Sequence, residues 1–142
     1  MPNVEELQAL DRAVAERVLG FRVETVTPSW YGNREVWLFT RPGSTRVDYS
    51  WDASSCNACM YRNGVDDTDG TADPLPGYSD NIEAAWEIVD EMIERGFLVA
   101  FDRGDTSEWF VRFTRNGVRT TSTGATPAEA ICRAALATVL DT

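Results

Sequence analysis

The segment Leu75 to Phe97, LPGYSDNIEAAWEIVDEMIERGF, constrains the fold more than any other part of the chain. Its apolar residues Ile82, Ala85, Trp86, Val89 and Ile93 recur at three- and four-residue spacing, which predicts one buried helix face. A helix starting at Ser79 or Asp80 is expected, with Asp80 and Glu83 as a capping box and Gly96 as its left-handed stop. Glu83, Glu87 and Glu91 lie four apart on the opposite side. Like charges at that spacing cost about 0.2–0.5 kcal/mol per pair. Burial of Trp86 and its neighbours must offset this, so the periodicity assigns Trp86, like Trp109, to the core.

A helix of that kind needs a sheet or other helices to cover it, and both are legible. Asn3 is placed to cap a first helix ending near Leu19, with Val4, Leu7, Leu10, Val14 and Val18 on one face and Gly20 as terminator. After Gly96 come three predicted strands, Phe97–Asp102, Glu108–Thr114 and Val118–Thr123. Asn116-Gly117 marks a tight hairpin between the last two. Thr126-Pro127-Ala128-Glu129 opens a final helix with a cap, a proline at its first position and a closing Glu. Its predicted inner face is Ile131, Ala134, Ala135, Thr138 and Val139.

Residues 21 to 70 are harder to read. Glu35–Thr40 and Thr45–Trp51 look like short strands about an Arg41-Pro42-Gly43 turn, and Cys56–Gly70 reads as loop. Pro74, Pro76 and Gly77 keep the next segment extended. At 142 residues one domain spanning 1–142 is expected, with 21–70 as a divergent strand region.

Three blocks resemble one family. LPGYSDNIEAAWEIVDEMIERGF is similar to a pattern of Pro-x-Tyr-Ser followed by a helix carrying Ala-Ala-Trp-Glu. TPAEAICRAALA is similar to the closing helix of the same proteins, and LDRAVAERVLGFRV to their opening one, with Arg17 and Phe21 where Lys and Trp are usual. The chain thus resembles the phage ABA sandwich domain family, small proteins of bacteriophages and prophages. The resemblance implies an α+β fold, a three-layer α-β-α sandwich around a mostly antiparallel sheet. Its C-terminal half would run α-β-β-β-α, with an extra N-terminal helix. That order also matches a double-stranded-RNA-binding fold, but an acidic chain without lysine argues against that function. The resemblance brings no catalytic residues.

Absences narrow the chemistry further. All 13 basic residues are Arg, with no Lys and no His. Histidine-based triads, lysine phosphate loops, lysine Schiff bases and His-ligated metal sites are therefore excluded within the chain. Cys56-x-x-Cys59 is half of a zinc knuckle or a redox pair, but there is no second pair to complete it. The favoured reading is reduced loop cysteines, with Cys132 a small buried apolar residue. Asp67, Asp69, Gly70 and Asp73 hint at a calcium loop, which fails at Val65 and Pro76. No catalytic residue, cofactor or metal is expected, and the protein reads as a non-enzyme.

The net charge of −10 is localised: ten of the 23 acids lie between Asp66 and Glu94 with no basic residue among them. The other 13 acids balance the 13 arginines. Such a face repels nucleic acid, so direct nucleic-acid binding is not expected. Glu83, Glu87, Asp90, Glu91 and Glu94 form a candidate surface for a basic host protein, as a nucleic-acid mimic or inhibitor of a host defence complex. The plainer reading is a solvated face that aids solubility.

Trp30, Tyr31, Arg34, Trp37, Arg41 and Trp51 form the other candidate site. Aromatic rings stack on bases and Arg grips phosphate, so this set could hold a nucleotide-like small molecule. The alternative makes Trp37 and Trp51 core residues of two strands. Arg112, Arg115 and Arg119 flank the hairpin, as a modest basic patch or as solvated charge. The expectation is a phage accessory protein in the host cytoplasm that sequesters a nucleotide-type signal in counter-defence. It has neither a membrane-length apolar run nor a secretory signal. Oligomeric state is not readable from the residues; a homo-oligomer stays open, since small proteins often build pockets between symmetric subunits.

Overall fold

A computed structural model describes residues 3–57, 61–63, 71–104 and 107–140. The fold class is α+β, as expected, with three helices and two sheets among the described residues. The chain forms two compact units. One is Gly20–Leu75; the other combines the chain before it with the chain from Pro76 onward. No helix among the described residues is long and apolar enough to cross a membrane.

The second of these units holds α1 (Val4–Arg17), α2 (Ile82–Glu94), β6 (Leu98–Arg103), β7 (Trp109–Arg115), β8 (Val118–Gly124) and α3 (Pro127–Leu140). The Asn3 side chain accepts the Glu6 N–H at 2.8 Å and caps α1. Strands β6, β7 and β8 form an antiparallel meander in that order. Arg115 pairs with Val118 across Asn116 and Gly117, whose φ values of 53° and 79° make the predicted tight turn. Val111 and Phe113 are fully buried, as their alternation requires, and Trp109 is half-buried.

Helix α3 packs against β7 and β8 and also against α1 and α2. A helix contacted on several sides must be apolar nearly all round. Ala128, Ala130, Ile131, Cys132, Ala134 and Ala135 are all buried, a wider face than the predicted stripe. Alanines let the neighbours approach closely. Gly124 takes this further: a Cβ there would lie 2.6 Å from the Ala130 nitrogen. The Thr126 hydroxyl accepts the Glu129 N–H, while the Glu129 carboxylate reaches back to the Ala125 N–H and takes Arg133 at 2.7 Å.

Helix α2 departs from expectation in two ways. Its cap is Asn81, whose side chain accepts the N–H groups of Glu83 and Ala84; Ser79 and Asp80 belong to a preceding turn closed on the Gly77 carbonyl. The buried face is Ala85, Ile88, Val89 and Met92, whereas Ile82, Trp86 and Ile93 are exposed. The face is rotated because Met92 and Ile88, not Trp86, fill the core. Trp86 instead meets Phe101 edge-on, with ring centroids 5.8 Å apart.

In Gly20–Leu75, β1 (Arg22–Val26), β2 (Val36–Thr40), β3 (Tyr49–Asp52), β4 (Tyr61–Arg62) and β5 (Thr71–Pro74) form a sheet ordered β1-β2-β3-β5-β4. Only β3–β5 is parallel. Strand β1 escaped the sequence reading because RVETV mixes charge with only two apolar positions. Strand β3 begins later than the predicted Thr45. Val47 is instead held at both its N–H and its carbonyl by the buried Asn63 amide, at 2.8 and 2.9 Å. Pro74 is tolerated because the ladder bonds are made on either side of it, Asp73 donating to the Asp48 carbonyl and Leu75 to that of Ser50. The Cys56–Gly70 stretch, read as loop, contains the short strand β4.

Candidate functional site

The site builds outward from β2. Val36 and Leu38 point to one face of their sheet, where Val26, Tyr31, Val47 and Tyr61 pack against them. On that face lies a cavity of about 260 Å³ lined by Glu24, Val26, Pro28, Trp30, Tyr31, Val36, Leu38 and Tyr61. Register explains the lining: Glu24 pairs with Leu38 and Val26 with Val36 across β1 and β2.

A short 3-10 turn, Ser29–Tyr31, brings in the aromatic wall. Gly32 and Asn33 follow it with φ of 69° and 56°, and the Tyr31 and Asn33 N–H groups both donate to the Pro28 carbonyl. This tight reversal leaves Trp30 69% exposed, with its ring centroid 5.7 Å from that of Tyr31.

Asp52 anchors the wall. It is 1% exposed and accepts from the Tyr31 hydroxyl at 3.1 Å, Arg34 Nη1 at 3.4 Å and the Ser55 N–H at 3.0 Å. Burial by itself would raise its pKa. The bonds from Ser55, Tyr31 and Arg34 outweigh burial and hold the carboxyl below its ordinary value. The Arg34 guanidinium also lies 5.6 Å from the Tyr31 ring centroid. Among the described residues lining the cavity, Glu24 alone carries charge, and it pairs with Arg22 at 3.8 Å.

The six candidate ligand residues therefore divide. Trp30 and Tyr31 line the cavity, and Arg34 reaches its edge through Asp52 and Tyr31. Trp37 and Trp51 are cross-strand partners on the opposite face of the sheet, where Trp37 is buried beside Phe39. The Arg41 guanidinium lies 5.0 and 5.2 Å from the ring centroids of Phe21 and Tyr49, which stack on each other, and donates to the Tyr49 hydroxyl at 2.6 Å. The structure does not bring Trp37, Arg41 or Trp51 to the cavity, because alternate strand positions face opposite ways. Sequence reasoning missed Glu24, Val26, Pro28, Tyr61 and Asp52. The Val36/Leu38 alternation was the one signal of an apolar floor.

On α2, Glu83, Asp90 and Glu94 are exposed and Glu87 and Glu91 half-buried. Glu91 accepts from Arg95 Nε at 3.0 Å, and the same guanidinium donates to the Val18 carbonyl. Arg112 and Arg119 are exposed, while Arg115 donates to the Arg95 carbonyl and stacks over Phe97. A second hollow, of about 300 Å³, lies on the β6–β8 sheet, with one acid, Asp102, and one base, Arg112, in its lining.

Cys59, Asp67, Asp69 and Gly70 lie outside the described residues. Cys56 is half-buried with φ of 50°, and among the described residues no cluster of three His, Cys, Asp or Glu side chains could hold a metal. Cys132 is fully buried, and burial, then the nearby Asp11 charge, pushes its thiol pKa well up.

The residues that carry the sequence signature are structural. Tyr78 and Ser79 of the Pro-x-Tyr-Ser block are buried. The Ser79 N–H donates to Asp11 at 2.7 Å and its hydroxyl to the Leu7 carbonyl, tying this block to α1. Cys132, in the closing block, feels the same carboxylate.

Comparison with known proteins agrees. Comparison with curated proteins found no match. A crystal structure of a phage protein from Bacillus cereus ATCC 14579 superposes with a TM-score of 0.55 at 17% identity. The superposition covers 100% of this chain and 91% of that one, a likeness of fold. The model of the phage ABA sandwich domain matches residues 12–136, which takes in nearly all of the two outer blocks and the whole of the Tyr78-Ser79 block. The chain belongs to the phage ABA sandwich domain family.

Proposed function

We propose that this protein is a non-enzymatic phage accessory protein that binds a nucleotide-type small molecule and sequesters it as a counter-defence in the host cytoplasm. The aromatic-walled cavity carries this reading. The aromatic side chains of Trp30, Tyr31 and Tyr61 and the aliphatic ones of Val26, Val36 and Leu38 line it together, a composition that suits a flat heterocycle. At about 260 Å³ the cavity takes a base and leaves the phosphate outside. Among the described residues the titratable groups lining it are Glu24 and two tyrosines, with no nucleophile–base pair, which favours holding over turnover. The net charge of −10 opposes capture driven by phosphate, so stacking supplies the affinity and added salt weakens it little.

The test is direct. Protein exposed to lysate of defence-activated cells is denatured by heat, and the supernatant is read by mass spectrometry. An intact nucleotide at near-stoichiometric amount is expected, lost in Trp30→Ala. A chemically altered ligand refutes sequestration, and an empty protein refutes the pocket reading.

A further inference from the structure

Helix α2 carries an exposed apolar strip that the cavity reading does not use. Ile82, Trp86 and Ile93 are 42%, 46% and 50% exposed, and Phe101, beside Trp86, is 40% exposed. At 100° per residue the three helix positions fall within about 40° of one another, so they form one line along the helix. The core-facing side chains Ala85, Ile88, Val89 and Met92 lie to one side of that line. Glu83, Glu87, Asp90 and Glu94 lie to the other, with no arginine among them. Arg95, the nearest basic residue in sequence, is engaged by Glu91 and the Val18 carbonyl.

We propose that the Ile82–Trp86–Ile93 strip, with Phe101, docks a basic amphipathic protein segment, whose apolar side chains cover the strip while its cations meet the acidic flank. An exposed Trp beside charged residues is the usual anatomy of an interface centre and its rim. Charge selects the occupant. A second copy docking symmetrically would set this acidic flank against itself. An anionic membrane surface or a nucleic acid would be repelled in the same way. A basic segment alone among these satisfies both the apolar strip and the acids.

The test titrates the purified protein with a synthetic helix bearing leucines on one face and lysines on the other, by calorimetry. A scrambled peptide of equal composition serves as control. The expected result is saturable binding, about tenfold weaker for Trp86→Ala or Ile82→Ser. Binding should also weaken by about tenfold from about 0.05 M to about 0.5 M salt. Circular dichroism checks that both variants fold. Equal affinity for the scrambled peptide, no binding, or indifference to both variants overturns the proposal. So does a dimer in sedimentation that Trp86→Ala dissociates, which would make a second copy the occupant.

Discussion

Asp11 shows how one buried carboxyl can set a pH dependence. Burial pushes its pKa from the ordinary 3.8 up to about 6, opposed by the hydrogen bonds from Ser79 and reinforced by the charge of Asp80. The folded state therefore holds the proton more tightly than the unfolded chain. Its contribution is fully present below about pH 3.8 and is lost as pH rises through about 6. Asp11→Asn keeps an oxygen for the Ser79 N–H but removes the charge. Urea titrations at about pH 5 and about pH 8 should find the variant more stable than the parent at the higher pH, by about 1–3 kcal/mol. An equal difference at both pH values would show that Asp11 does not titrate in this range. Asp52 works in the opposite sense, since its lowered pKa supplies stability above the unfolded value that is lost on acidification. Neither role was legible in the sequence. An Asp on a helix or at a strand end reads as surface until the chain that buries it is in place.

At the scale of elements, local chemistry was the more readable part. The Asn116-Gly117 hairpin, the Asn3 cap, the Thr126-Pro127 helix start and the three C-terminal strands all fall within a residue or two of their expected places. Each depends on backbone sterics or near-neighbour hydrogen bonds. The start of α2 was misplaced because two good capping residues, Asp80 and Asn81, stand side by side, and the Gly77 turn decides between them. Asn81→Ala should cost about 1 kcal/mol in urea unfolding and Asp80→Ala much less; the reverse order would restore Asp80 as the cap. Gly124→Ala tests the helix–strand approach. With backbone of α3 in the way, it should destabilise by about 1–3 kcal/mol, and a neutral result would mean that α3 can retreat.

At the scale of the whole molecule, charge dominates. A net charge of −10 on 142 residues is self-repelling, and the six ion pairs among the described residues, four of them between solvent-accessible side chains, offset little of it. Raising salt from about 0.01 M to about 0.3 M should increase the thermal midpoint by about 2–5 °C. A falling midpoint would show that ion pairs outweigh the repulsion. The residues alone determined the helices at both ends, the hairpin meander, the family signature and the excluded chemistries, because these follow from residue type and short-range spacing. Tertiary structure decided which side of α2 is buried, that Val47 pairs with Asn63, and that Trp30 and Tyr31 meet Tyr61 while Trp37 and Trp51 turn away. Those outcomes depend on which distant segments compete for the same buried volume and hydrogen bonds, and spacing along one chain carries no record of that competition.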